Sequence, residues 1–145
     1  MKAPASCGEM HAKVLVDLDA TQHRILPPET GKARIFFLFD YGGALAWSYP
    51  FLKVGIDGQW VGGLAKNSWF SKSVEPGEQH LCVATKDGVV GLAHLTVEGG
   101  KTYYYRVRAF TNGVYLFYTG PDRVDSDEAA FQIGQFSLTT IHVKR

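Results

Sequence analysis

The chain has 145 residues, of which 46% are apolar and 13% aromatic, enough for one domain whose core needs no metal to hold it. Lys plus Arg number 15 and Asp plus Glu 14, a net charge of +1 that excludes the basic face needed to neutralise phosphates, so no nucleic-acid partner is expected. No apolar run approaches the roughly 18 residues of a membrane span.

The chain reads as a single domain over 1–145, with 1–12 as an N-terminal tail. Its start, "MKAPASCGEM", is small and polar and has no secretory apolar run; it suits a cytosolic terminus or a chain trimmed of its signal. "AKVLVDL" alternates, with Val14, Val16 and Leu18 inward. "ARIFFLFDY" (33–41) is apolar on both faces, as in a central strand covered on both sides. "DYGGALAWSYPF" (40–51) has no period and carries Trp47 and Tyr49; aromatic loops on a β scaffold are frequent binding sites.

Asp57-Gly58, Asp87-Gly88 and Asn112-Gly113 each separate two strand-like runs. These pairs reach positive φ cheaply and fit type I′ hairpin turns, predicting three hairpins and a mostly antiparallel arrangement. In "VVGLAHLTV", Val89, Gly91, Ala93, Leu95 and Val97 share the core face, with His94 and Thr96 opposite. In "TYYYRVRAF", Tyr103, Tyr105, Val107 and Ala109 face the core, and Thr102, Tyr104, Arg106 and Arg108 face solvent. "VEPGEQHLC" (74–82) gathers acids, a His and a Cys, but Pro76-Gly77 is a type II turn signature, and the stretch reads as a corner. "VDSDEAAFQIGQF" predicts a short helix over 126–133, capped by Asp125 or Ser126 and stopped by Gly134. "FSLTTIHV" is the last strand. The expected fold is all-β: a single antiparallel β-sandwich of seven to nine strands with one short C-terminal helix.

No catalytic set converges. Cys82 and His80 lie two apart on one strand, near 7 Å, too far for direct activation. His80, Cys82 and His94 could approach across a hairpin, but without C-x-x-C or H-x-x-x-H spacing no metal is assigned; His80 and His94 are weak candidates only. The acids Asp57, Asp87, Glu75, Glu78 and Glu98 sit in turns, where they are normally solvated. No cofactor is expected. Cys7 and Cys82 leave three options open: one disulfide, a lipidated Cys7, or two free thiols.

The order "VGIDGQWVGGL", "NSWF", "VEPGEQHLC", "LAHLTVEGGKTYYYRVR", "VDSDE" resembles bacterial lipoproteins grouped as domain-of-unknown-function family 2846, in an acidobacterial-type variant akin to PEGA-like surface domains. The matching positions are Asp57, Gly58, Val61, Gly62, Trp69, Phe70, Pro76, Gly77, Glu78, Gly100, Lys101, Tyr103 and Tyr104, within roughly 30–130. Gln79 stands where the family often has His, and "FDYGGALAWSY" replaces a polar segment. The resemblance implies an exported envelope protein (periplasmic, outer-membrane-associated or secreted) with a β-sandwich and no established activity. Export shifts the cysteines toward a Cys7–Cys82 disulfide and leaves a lipid anchor on Cys7 possible in a precursor. The expected function is a non-catalytic envelope domain that binds or scaffolds an envelope protein. The alternative is a small-ligand or glycan-binding module using Trp47, Tyr49, Trp60 and Trp69, whose rings could stack on a ligand. An enzyme is the least expected reading.

Overall fold

A computed structural model describes residues 6–42, 51–111 and 115–144. Ten strands and one helix follow in the order β1 (Lys13–Asp19), β2 (Ala33–Tyr41), β3 (Leu52–Ile56), β4 (Gln59–Leu64), β5 (Ser68–Val74), β6 (Gly77–Thr85), β7 (Gly88–Val97), β8 (Thr102–Thr111), β9 (Leu116–Arg123), α1 (Ser126–Ile133) and β10 (Ser137–Lys144). They form a six-stranded sheet, β1-β10-β5-β2-β8-β9, and a four-stranded sheet, β4-β3-β6-β7. Ile35, Phe37 and Phe39 of the larger sheet share one core with Leu52, Val54, Leu81 and Val83 of the smaller.

The doubly apolar β2 is central, as its sequence requires. Its odd-numbered residues enter the core between the sheets, while Phe36 and Leu38 face outward into a second cluster with Trp69, Ala129 and Ile133. Helix α1 therefore covers the outer face of β2 and β8. Asp125 caps it, accepting from the backbone N–H groups of Asp127 and Glu128. Arg106 pins it to the sheet, donating to Glu128 (2.7 Å) and Gln132 (3.0 Å). The outward face of β8 is thus partly covered: Tyr104 stacks on Phe36 beneath the helix.

The arrangement departs from a wholly antiparallel one. Beta strands β2 and β8 run parallel, as do β5 and β10. The chain between β2 and β8 contributes all of the smaller sheet, and it returns to the larger sheet in the starting direction. The described residues form ten strands, against the expected seven to nine; β5 is the one not read from the sequence, its alternation hidden by the polar run Ser71-Lys72-Ser73.

Turn chemistry decides the local register. Asp57 (φ 48°) and Gly58 (φ 92°) both take the left-handed conformation, as a type I′ turn between β3 and β4 demands. Asp87-Gly88 does not form the predicted turn. Thr85 pairs with Gly88, leaving Lys86 and Asp87 as the loop, and a bulge follows between Val83 and Ala84 opposite Gly91 and Val89. Val89 is therefore 40% exposed rather than inward, and Val90 packs on the core in its place. Asn112-Gly113 lies outside the described residues, although β8 and β9 pair antiparallel as expected. Leu18 is 56% exposed, against expectation. Val14 and Val16 pack against Gly63 of β4, whereas Leu18 extends past that contact on an edge strand. The Pro76-Gly77 corner carries the chain from one sheet to the other, closed by the Gln79 side chain donating to the Glu75 carbonyl at 2.9 Å.

Candidate functional site

Strand β6 buries Gln79, Leu81 and Val83 and sends Glu78, His80, Cys82 and Ala84 to the outer face of the smaller sheet. One end of that face is closed by the N-terminal segment. Cys7 is disulfide-bonded to Cys82, with Cα atoms 5.2 Å apart, inside the 4.4–6.8 Å range of ordinary disulfides. Of the three options for the cysteines, the structure has the disulfide. Gly8 lies flush on the Trp60 indole; a Cβ there would stand 2.5 Å from the ring. The Trp60 Nε1–H donates to the Glu9 carbonyl at 2.7 Å. Lys53 Nζ donates to the Met10 carbonyl at 2.9 Å and sits 4.7 Å over the same indole. Burial lowers the Lys53 pKa from its ordinary value, against the opposing pull of the Glu9 carboxylate.

The other end of the face stays open and carries the two histidines. The register sets His80 directly opposite His94. Their rings stack, centroids 4.4 Å apart and planes 3° from parallel. His94 Nε2 lies 3.7 Å from Glu78 Oε2. Asp57, at the β3–β4 turn, holds His80 twice: its Oδ1 accepts from the His80 backbone N–H at 2.9 Å and lies 3.1 Å from ring Nδ1. Among the described residues, Glu78, His80 and His94 are the group able to meet at one metal ion, with one donor atom from each within 4.8 Å of the others. Cys82 is withdrawn from that group by its disulfide. Asp57 and Glu78 were the members that residue types alone concealed, because turn acids are usually only solvated.

Trp60 and Trp69 do not share a platform. Trp69 is buried beneath α1, stacked on Phe36, and Trp60 is clamped by the N-terminal segment on the other sheet. Trp47 and Tyr49 lie outside the described residues. Exposed aromatics occur elsewhere, on the outer face of β8 and β9, where Phe110 stacks on Phe117 at 5.7 Å and Tyr115 meets Phe117 edge-on. An open cleft of about 880 Å³ lies between the N-terminal segment, the β6–β7 turn and β9, lined by Lys13, Phe51, Lys53, Lys86, Asp87 and Tyr118 among others.

No family model, curated protein or solved structure matches the chain. No helix among the described residues is long and apolar enough to cross a membrane.

Proposed function

We propose that this chain is an exported, non-catalytic envelope domain, a disulfide-pinned β-sandwich that binds or scaffolds another envelope protein. The observation that carries the reading is the buried Cys7–Cys82 bond, since such bonds form and persist in oxidising compartments and are rare in reducing ones. The resemblance to the lipoprotein family points the same way. The non-catalytic part rests on how the polar groups are used. Lys53 is committed to holding backbone carbonyls. The displaced pKa values of Asp19, Glu98 and Lys101 answer to partners two or three residues away, Thr21 for the first and the Glu98–Lys101 pair for the others. The exposed Phe110–Tyr115–Phe117 group supplies an apolar surface of the kind that meets a protein partner.

A second reading, a small-ligand module, is favoured by the cleft of about 880 Å³, a size common among ligand sites. Its stacking version through Trp60 and Trp69 loses support, because both indoles are already covered. Fractionation of the source cells tests the main reading. The chain is expected in the envelope or extracellular fraction; recovery with cytosolic markers would refute it.

A further inference from the structure

Independently of that reading, we propose that Glu78, His80 and His94 form a binding site for a divalent transition-metal ion, zinc in the first instance, on the open outer face of the β6–β7 hairpin. Two imidazoles and one carboxylate are the donor set of many open zinc sites, which keep a fourth position for water.

The backbone builds the triangle. Glu78 and His80 are two apart on β6 and so share a face, and His94 is the cross-strand neighbour of His80. Donors around tetrahedral zinc at bonds of about 2.0–2.1 Å stand roughly 3.3 Å apart. The three side chains already bring donors within 4.8 Å, so loading requires a closure of about 1.5 Å, within the reach of exposed side-chain rotation. One rearrangement is obligatory. A metal bond lies in the plane of its imidazole, and two rings stacked 3° from parallel cannot share an ion. His94 is the ring that turns. Its side chain is 55% exposed, and its contact is with Glu78, another member of the site.

His80 stays put because Asp57 holds it. With Nδ1–H donated to the Asp57 carboxylate, the lone pair is left on Nε2. Carboxylates in this position fix the tautomer and orientation of metal-ligating histidines and strengthen them as ligands. The Asp57 backbone is anchored in turn: its N–H donates to the His80 carbonyl at 3.0 Å, and its φ is 48°. Asp57 is thus a positioning residue and the other three are ligands.

The test is calorimetric titration of the tag-free, disulfide-intact chain with zinc chloride in a non-chelating buffer. A two-dimensional spectrum of the imidazole resonances is recorded alongside it. One ion per chain is expected, with the rings of His80 and His94 both shifting. His80→Ala and His94→Ala should each weaken binding at least about tenfold. Asp57→Gly retains every ligand and a residue suited to the turn, and should weaken it about 10- to 100-fold. All four side chains are exposed, so urea midpoints should stay near that of the parent, which separates lost binding from lost folding. Zinc binding that is equal in the parent and in a His80→Ala/His94→Ala double variant would overturn the site, as would no binding at about 1 mM zinc.

Discussion

Breaking the Cys7–Cys82 bond should cost the protein a large share of its stability. The bond joins residues 75 apart in sequence. For a loop of that length the chain-entropy relation gives about 15 cal/mol/K, or about 4.5 kcal/mol at 25 °C. Two effects lower the measured value. A denatured chain retains some compactness, and the N-terminal segment keeps its other anchors, the Lys53 and Trp60 hydrogen bonds, after reduction. A loss of about 2–4 kcal/mol is therefore expected for Cys7→Ala/Cys82→Ala or for the reduced parent. With a urea slope of about 2 kcal/mol/M, the midpoint falls by about 1–2 M. Urea titrations followed by far-UV circular dichroism, with and without a phosphine reductant, measure this. Hydrogen exchange then localises the loosening to residues 6–12. Coincident midpoints for oxidised and reduced protein would refute the claim that this bond constrains the unfolded chain and pins the segment.

Gly62 faces the core, where an added Cβ would stand 2.1 Å from the Phe70 ring, itself stacked on Phe37 at 5.0 Å; Gly62→Ala should cost about 1–3 kcal/mol and lower Tm by several degrees in calorimetry. Asp125→Ala removes the cap of α1 and should cost about 1 kcal/mol, with faster exchange confined largely to residues 126–133. Burial raises the pKa of Tyr104, Tyr105 and Tyr118 above the ordinary tyrosine value. Because the unfolded phenols ionise first, their contribution is complete below about pH 10 and is lost as pH rises through the folded values. Ultraviolet titration at alkaline pH should show Tyr104, Tyr105 and Tyr118 ionising above the ordinary tyrosine range or together with unfolding; their ionisation at the ordinary value while the fold persists would contradict it.

Much of the fold is legible in the residues. The doubly apolar "ARIFFLFDY" announces a strand covered on both sides, and Asp125 with its following acids marks the start of α1. Tyr103, Tyr105, Val107 and Ala109 enter the core as their alternation requires. The histidine pair is legible in part: the alternation of β7 sets His94 outward, but the predicted turn disagrees with that alternation about the register. A type I′ turn at Asp87-Gly88 would set Lys86 opposite Val89 and His80 opposite Leu95, sending His94 to the core side. The actual loop, Lys86-Asp87, and the bulge beyond Val83 shift the pairing by one residue, and that shift stacks His94 on His80. The parallel pairings are hidden, because they join residues far apart in the chain that no local pattern connects.

The account stands most directly on the state of the two cysteines where the protein works. Source cells quenched in acid, alkylated, then reduced and alkylated with a second reagent of different mass would report it. The account predicts that Cys7 and Cys82 both carry only the second label, linked to each other in the unreduced peptide map. First-label modification of both thiols in freshly quenched cells would contradict a disulfide-pinned, exported domain.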